Sequence, residues 1–302
     1  NHRRFDLRVA FRIVGGNERM SQTRQTALTH AGQRLSAAGV EDFWREARIL
    51  LAFVLDIDML QVSLRLEETL NAEQSAALEE ALTLRMARVP MSHILGYRDF
   101  YENRFIVTPD VLDPRPETEE LVARALSAPF HNVLDLGTGS GCIILSLLAI
   151  NSSVRGLAVD QSAKALEVAR RNAEKLQLTD RVRFCRSDWC SEISTERFDL
   201  IVSNPPYIHP NVWKGLSSEV HQEPKSALTD DKDGLSHYAT IAHQAHGFLA
   251  AEGRLLFEIG FDQGEAVAQI LRQEGYRDIA ILEDLDHRPR VVSCRARAEK
   301  TN

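Results

Sequence analysis

The sequence has few cysteines and no long apolar run. Its four cysteines, Cys142, Cys185, Cys190 and Cys294, form no CxxC pair, and its ten histidines form no cluster at zinc-binding spacing. A disulfide framework and a structural metal site therefore lack support, and we expect no metal. No apolar stretch approaches the roughly 18 residues that span a bilayer, so we expect no membrane segment. These features favour a protein with reduced thiols in the cytoplasm.

Basic residues are outnumbered by acids. Lysine and arginine total 36 against 43 acids, a formal net charge of −7, which disfavours bulk attraction to nucleic acid or anionic lipid. Hydrophobic residues make up 44% of the chain and charged residues 26%, which is typical of globular proteins. A chain of 302 residues is long for one domain and short for three, so we expect one catalytic domain and a smaller companion.

The stretch from 131 to 142 predicts the floor of a nucleotide-type cofactor site. An apolar strand ends at Asp135 and Leu136, and a glycine-rich turn leads from it into an apolar helix. The turn comprises Gly137, Thr138, Gly139, Ser140 and Gly141. Its glycines permit positive φ and a close approach of the backbone to a ligand, and Asp135 is expected to order the turn. Because glycines also close ordinary loops, this turn alone is weak support for a cofactor site.

Two further stretches strengthen the cofactor interpretation. A second apolar strand ends at Asp160, nineteen positions after Gly141, where a carboxylate that binds ribose hydroxyls is expected. A third apolar strand, 198–203, runs directly into Asn204-Pro-Pro-Tyr207. This tetrapeptide is far rarer than a glycine turn and therefore carries more weight.

The prolines of this tetrapeptide favour a pocket that binds a planar NH2 group. Proline keeps its carbonyl but has no N–H, so Pro205 and Pro206 offer acceptors with few donors. The Asn204 side-chain oxygen and the Pro205 carbonyl can hold both protons of an amide or exocyclic amine, which favours a pyramidal nitrogen aimed at a methylsulfonium. Tyr207 is expected to wall the pocket, and catalysis then consists mostly of positioning and electrostatics. A stiff proline turn would explain the prolines but not Asn204 and Tyr207.

Strand and helix patterns alternate along the second half of the chain, which predicts an α/β fold with a parallel sheet and helices on both faces. The closing strands near 278–282 and 290–294 have no helix between them and predict an antiparallel edge pair. Ligands of such sheets bind beyond the carboxyl ends of the strands, where Asp188 and Trp189 also fall. Asp188 is a candidate acceptor for a purine amine and Trp189 for packing on its ring; an ordinary loop acid and a half-buried aromatic are the alternative.

The first third of the chain predicts a separate helical region. Residues 1–19 are arginine-rich, and we expect them to be a non-native or disordered leader outside the fold. Periodicity predicts helices over 22–39, 41–56 and 71–89, which form a bundle over 20–90 with apolar stripes and no catalytic constellation. Its expected role is recognition. A hairpin over 91–112 joins it to a domain over 113–302, where Arg115 and Glu117 either line the site or are solvated.

With these motifs the sequence resembles S-adenosylmethionine-dependent methyltransferases with an Asn-Pro-Pro-Tyr signature. Within them it is similar to the protein-(glutamine-N5) methyltransferases of release factors (PrmC/HemK). The resemblance extends from about residue 20 to the C-terminus and includes 94–96, 107–110, 114–119, 223–228, 233–235 and 258–260. It implies a Rossmann-like, doubly wound, seven-stranded methyltransferase sheet with a small N-terminal helical bundle. Asp113 and the segment 286–292 depart from the usual family pattern.

The resemblance also implies the reaction and its residues. Methyl transfer goes from S-adenosylmethionine to the side-chain amide N5 of the glutamine in the Gly-Gly-Gln motif of class I peptide chain release factors. The candidate residues are Asn204, Pro205 and Tyr207 for catalysis; Asp135, Gly137, Thr138, Gly139, Ser140, Gly141, Asp160, Asp188, Trp189 and Asn204 for the cofactor; and Asn204, Pro205, Pro206, Tyr207, Arg115 and Glu117 for the substrate.

Other functions share parts of this pattern. An adenine-N6 DNA methyltransferase presents the same tetrapeptide to the same kind of NH2 group, but residues 20–110 carry nine arginines, no lysine and thirteen acids, which disfavours binding of DNA. A dinucleotide oxidoreductase shares the glycine turn and Asp160, yet gives Asn204 to Tyr207 no role. A ribosomal-protein glutamine methyltransferase and a non-catalytic adaptor also stay open.

Overall fold

The structure is a computed structural model that describes residues 22–296. The expected leader over 1–19 lies outside the described residues. The chain divides into two compact units between Gly96 and Tyr97, so the hairpin that follows Gly96 belongs to the second unit. The functional boundaries that we drew at residues 90 and 112 stay predictions.

The first unit is a helical bundle, which confirms the predicted N-terminal helical region. Its helices within 22–96 are α1 (Arg24–Ala37), α2 (Phe43–Leu55), α3 (Met59–Leu64), α4 (Ala72–Met86) and α5 (Met91–Leu95). The start of α4 is as predicted, because the Asn71 side chain accepts the Gln74 N–H while the Gln74 side chain accepts the Asn71 N–H, forming a capping box. Alanine and leucine side chains of α1, α2 and α4 form the core of the bundle.

The structure corrects three details of the bundle. The helix predicted over 71–89 ends at Met86, and Arg88 follows it with a positive φ of 67°. α3 and α5 were not predicted, because five or six residues are too few to establish a helical period. α5 occupies the first part of the predicted hairpin segment and ends at Gly96, where φ is 76°.

The second unit begins with a short antiparallel hairpin of β1 (Tyr97–Phe100) and β2 (Asn103–Ile106). Its two turn residues, Tyr101 and Glu102, both have positive φ, as a two-residue type I′ turn requires. Phe100 and Phe105 are buried, with ring centroids 6.0 Å apart in an edge-to-face arrangement. This aromatic pair fixes the hairpin to the core.

A seven-stranded sheet forms the centre of the second unit, as predicted. Its strands are β3 (Asn132–Leu136), β4 (Arg155–Asp160), β5 (Val182–Arg186), β6 (Phe198–Ser203), β7 (Leu249–Glu258), β8 (Arg277–Glu283) and β9 (Pro289–Arg295). Their order is β5-β4-β3-β6-β7-β9-β8. β3 to β7 run parallel, while β9 is antiparallel to both β7 and β8, which confirms the closing antiparallel pair. From β3 the strands follow one another outward to β5 on one side of the sheet, and from β6 outward to β7 on the other side. The position between β3 and β6 is therefore the switch point at which such sheets bind ligands.

Helices cover both faces of this sheet. They are α6 (Thr118–Leu126), α7 (Cys142–Ile150), α8 (Ala163–Lys175), α9 (Pro210–Trp213), α10 (Ser236–Ala245) and α11 (Gly264–Gln273). Val133 belongs to one apolar core and Leu134 and Leu136 to the other, because successive strand residues point to opposite faces. α10 stops at Ala245, and β7 starts four residues later at Leu249. No helix in the described part of the chain is long and apolar enough to cross a membrane.

Candidate active site

The ends of β3, β4 and β6 bring the sequence motifs together. Leu136 is level with Val159 of β4 on one side and with Ser203 of β6 on the other. The glycine turn therefore lies between Asp160 and Asn204. The Ser203 hydroxyl donates to the Leu136 carbonyl over 2.7 Å and joins the ends of β3 and β6.

The glycine turn has the backbone conformation that its sequence predicts. Gly137, Gly139 and Gly141 have φ values of 76°, 55° and 81°, a region that other residues rarely occupy. A Cβ atom on Gly141 would lie 3.0 Å from Leu145 Cδ1, whereas a Cβ atom on Gly139 would meet no atom within 4 Å. The turn is thus packed against α7 on one side and open on the other.

Asp135 supports the turn from below. Its side chain is fully buried, and its Oδ2 atom accepts a hydrogen bond of 2.7 Å from the Thr138 hydroxyl. Burial raises the pKa of Asp135 to about 7, and the hydrogen bond from Thr138 opposes this shift. Asp135 therefore orders the turn and lies beneath the open surface of the turn.

Asp160 joins the turn to the end of β4. Its Oδ2 atom accepts the Gly139 N–H at 2.9 Å and its Oδ1 atom accepts the Ser162 N–H at 2.8 Å. Burial raises the pKa of Asp160, while the two backbone hydrogen bonds oppose the rise. A carboxylate oxygen can accept two hydrogen bonds and each oxygen of Asp160 accepts one here, so lone pairs remain for two hydroxyl groups. This donor and acceptor set fits a ribose beside an open glycine turn.

Trp189 and Asp188 differ in their surroundings. The Trp189 ring lies 3.4 Å from the position that a Cβ atom of Gly137 would take, and its centroid is 5.1 Å from that of His237. Trp189 is partly buried and has a positive φ of 50°, whereas Asp188 is exposed. The tryptophan therefore walls the glycine turn, and Asp188 lies on the solvent side.

The Asn204 amide is oriented by the start of α6. Its Nδ2 atom donates to the hydroxyl oxygen of Thr118 over 3.3 Å, and Thr118 is buried. This bond directs the amide nitrogen toward α6 and leaves Oδ1 on the other side. Asn204 thus offers an acceptor, as the sequence argument requires.

A cavity of about 130 Å³ lies at the tetrapeptide. Its lining residues are Leu112, Arg115, Asn204, Pro205, Tyr207, Ile208, Leu216, Val220, Ala227, Leu228 and Glu258. Most of the wall is apolar, and the polar groups converge from Arg115, Asn204 and Glu258. A larger depression of about 380 Å³ near Asp199 and Arg254 includes none of the predicted site residues.

Arg115 and Glu117 have different surroundings in the structure. Arg115 lines the cavity, and its Nη2 atom is 2.6 Å from Glu223 Oε1. Glu223 is buried, and its other oxygen accepts the Asp113 N–H at 3.0 Å. Glu117 is exposed at the start of α6 and is not part of the cavity wall. The substrate roles of both residues stay predictions.

Tyr207 contacts a buried acid that the sequence argument did not use. The Tyr207 hydroxyl donates to Glu258 Oε1 over 3.4 Å, and Glu258 is only 1% exposed. Burial raises the pKa of Tyr207, and the nearby Glu258 carboxylate raises it further. Burial also raises the pKa of Glu258 to about 7, while Thr118 and the charge of Arg290 oppose that rise.

Sequence reasoning missed three residues at this site. Thr118 and Glu258 were noted only within motifs, although an acid at the end of an apolar strand is the same signal that singled out Asp160. Asn172 of α8 gave no signal. It is fully buried, and its amide donates to the carbonyls of Ser140 (2.9 Å) and Ile106 (3.0 Å), so it ties the glycine turn to β2. Residues 22–296 contain no cluster of three or more side chains suited to hold a metal ion.

Two family models match the chain, one in each of its two units. The PrmC N-terminal domain matches residues 26–96, and the methyltransferase small domain matches residues 116–232. The first match covers the helical bundle. The second contains the glycine turn, Asp160 and the Asn204 tetrapeptide.

Curated relatives match over most of the chain. A release factor glutamine methyltransferase of Cereibacter sphaeroides is 47% identical over 270 residues, which cover 89% of this chain and 97% of that protein. A bifunctional methyltransferase of Rickettsia felis is 35% identical over 305 residues, which cover 90% of this chain. The matched region spans 58% of the length of the Rickettsia protein.

A solved structure supports the fold. A methyltransferase from Pyrococcus furiosus aligns with a TM-score of 0.50 at 14% identity, covering 75% of this chain and all of that chain. This likeness concerns the fold alone, and it agrees with the predicted methyltransferase sheet. Identity of 47% along nearly the full length of a named relative is more specific and confirms the resemblance drawn from the motifs. The chain belongs to the family of release factor glutamine methyltransferases.

Proposed function

We propose that this protein transfers a methyl group from S-adenosylmethionine to the side-chain amide N5 of the glutamine in the Gly-Gly-Gln motif of class I release factors. The observation that carries the proposal is the acceptor-lined cavity at Asn204 and Pro205, one strand away from the glycine turn. The Cereibacter sphaeroides relative is a release factor glutamine methyltransferase, which supports a release factor glutamine as the substrate.

The cofactor is assigned to the glycine turn and the residues around it. When bound, S-adenosylmethionine supplies an electrophilic methyl group. Asp160 accepts from the ribose hydroxyls, and Trp189 packs on the adenine ring. The open side of Gly139 leaves room for close approach to the backbone. α7 begins directly after Gly141, so the first N–H groups of this helix, which have no partner within the helix, lie beside the turn.

The glutamine amide is assigned to the cavity. Asn204 Oδ1 and the Pro205 carbonyl accept its two N–H groups, which weakens the delocalisation of the nitrogen lone pair and aims it toward the cofactor side. The remaining N–H groups of Arg115 are available to the amide oxygen. Tyr207 closes the wall and excludes water. The methyl–sulfur bond breaks as the nitrogen–methyl bond forms, which would leave S-adenosylhomocysteine, and the methylated nitrogen then loses one proton to water. The gain therefore arises from fixed geometry and fixed dipoles and needs no general base before transfer.

We assign recognition of the release factor to the helical region over 20–90. Its ion pair between Arg85 and Glu46, at 2.6 Å, joins α4 to α2 and serves the fold. The small cavity of the second unit holds one side chain, so a protein substrate needs contacts elsewhere. The glycines beside the target glutamine let an extended tip enter where larger side chains would collide.

A transfer assay distinguishes the possible substrates. Purified protein and labelled S-adenosylmethionine are incubated separately with a class I release factor, its Gln→Ala tip variant, ribosomal proteins and adenine-rich duplex DNA. We expect label on the release factor alone. Label on DNA would support an adenine methyltransferase, and label on a ribosomal protein or equally on the tip variant would support another protein target.

Gly234 is expected to control the position of Tyr207. Its φ is 76°, and a Cβ atom there would lie 2.4 Å from the Tyr207 carbonyl oxygen and 3.0 Å from Gln263 Nε2. Gln263 donates to the same carbonyl over 3.1 Å. Gly234→Ala should therefore displace Tyr207 and lower kcat by about tenfold to a hundredfold, since small misplacements in a site are costly.

The matched control is Gly247→Ala, whose Cβ atom would meet only the Gln244 carbonyl at 3.6 Å. Steady-state methyl transfer is measured for both variants, and thermal unfolding confirms that each is folded. Turnover of Gly234→Ala equal to that of the control would show that the position of Tyr207 does not matter.

A further inference from the structure

The side-chain donors of the tetrapeptide itself are directed to partners within the protein. Asn204 Nδ2 donates to Thr118, and the Tyr207 hydroxyl donates to Glu258. Pro205 has no N–H. These three residues therefore turn acceptors toward the cavity that they line, and Arg115 supplies the cationic donor of its wall.

Glu258 adds a further acceptor to this cavity. It ends β7, where Ser203 of β6 pairs with Phe257, so Glu258 and Asn204 are neighbours at the same edge of the sheet. Its Oε1 atom accepts from Tyr207, whereas its buried Oε2 atom has no hydrogen-bond partner among the described residues. An unpaired buried carboxylate oxygen is costly, which makes a group with a free N–H a favourable occupant.

The charged groups around Glu258 come from several elements. Arg290 of β9 lowers its pKa and Glu117 at the start of α6 raises it. Arg115, the cation in the cavity wall, is engaged by Glu223 at 2.6 Å. Burial raises the pKa of Glu258 to about 7, and pH 8 therefore favours its ionised form.

We propose that Glu258, acting with Thr118, determines specificity by making the cavity accept a primary amide and reject a carboxylate. This inference rests on the proposed function and goes beyond it, because it explains why glutamine is accepted and glutamate is not. Thr118 keeps the Asn204 nitrogen out of the cavity. Glu258 accepts the hydrogen of the Tyr207 hydroxyl, so this hydrogen is not offered to a ligand in the cavity. The Glu258 carboxylate also repels a second negative charge.

The test compares the binding of a release factor with the binding of its Gln→Glu tip variant. Dissociation constants are measured at pH 8 with S-adenosylhomocysteine present, so that no turnover occurs. The wild-type protein should bind the glutamine tip at least about tenfold more tightly than the glutamate tip, because juxtaposed like charges are costly. Glu258→Gln puts a donor into the cavity and removes the charge, and should reduce this ratio to near one.

Thr118→Val provides a second variant. It keeps the side-chain shape but removes the acceptor of the Asn204 amide, so the amide nitrogen is free to turn toward the cavity and the ratio should fall. Tyr238→Phe is the control. Its hydroxyl donates to the backbone carbonyl of Glu258 over 3.0 Å, but Tyr238 does not line the cavity, and the ratio should be unchanged.

The outcomes separate this inference from the proposed function. If the wild-type protein transfers no methyl group to the release factor, the proposed function fails. If it does, and folded Glu258→Gln or Thr118→Val keeps the wild-type ratio, the specificity role of that residue is overturned. A merely structural role would weaken binding of both tips equally and leave the ratio unchanged, which would also overturn the inference.

Discussion

Replacing Asn204 by Ala is expected to lower kcat by about 10²–10³-fold, the range seen when one preorganised polar group is removed from an active site. The Asn204 oxygen is the acceptor that we assign to the substrate NH2 group. Its contribution grows as the amide nitrogen loses delocalisation and gains positive charge, so the loss falls mainly on the transition state. Cofactor affinity should change much less.

Single-turnover methyl transfer and calorimetric titration with S-adenosylmethionine measure the two effects separately. Asn204→Asp is the sharper companion variant, since it keeps an acceptor but loses the N–H groups that donate to Thr118. Asn204→Asp should also transfer the methyl group slowly, because the orientation of the new side chain is no longer fixed by Thr118. Near-normal turnover of either variant at saturating substrate would remove the argument about the nitrogen lone pair.

Replacing Asp160 by Ala is expected to weaken S-adenosylmethionine binding by roughly tenfold to a hundredfold. The charge-assisted hydrogen bonds to the ribose contribute about 1.5–3 kcal/mol together. The same carboxylate also accepts the Gly139 and Ser162 N–H groups, so its removal loosens the glycine turn. Both effects act on cofactor binding in the same direction.

Asp160→Asn separates these two contributions. It keeps the shape of the side chain and an acceptor for one backbone N–H, but it loses the charge. The affinity of this variant for S-adenosylmethionine should therefore fall between those of the wild type and Asp160→Ala. Calorimetric titration gives the affinities, and urea unfolding gives the stability of each variant. Unchanged cofactor affinity in a folded Asp160→Ala protein would discard the ribose assignment.

The sequence was sufficient to predict the sheet and one edge of the site. Apolar strands that end in a glycine turn, in Asp160 or in Asn204 are local patterns, and parallel strands place their carboxyl ends at one edge. Once the α/β fold was inferred, these three motifs had to lie near one another. The sequence does not determine the register of the strands. The structure shows that Leu136 is level with both Val159 and Ser203.

The polar network beneath the tetrapeptide could not be predicted from the sequence. Thr118, Asn204 and Glu258 lie far apart in the chain, and their approach depends on how α6 and β7 flank β6. Asn172 was missed for a similar reason, because a polar residue on a helix is usually solvated, whereas here it is buried against the carbonyls of Ser140 and Ile106. Pairing of distant polar side chains is a property of tertiary packing, and no local pattern encodes it.

Tandem mass spectrometry of a release factor after incubation with this protein and S-adenosylmethionine tests the central claim most directly. The account predicts one added methyl group on the side-chain nitrogen of the glutamine in the Gly-Gly-Gln motif, and almost none when Asn204→Ala replaces the wild-type protein under the same conditions. A methyl group on any other residue, or an unmodified glutamine after prolonged incubation with active wild-type protein, would contradict it.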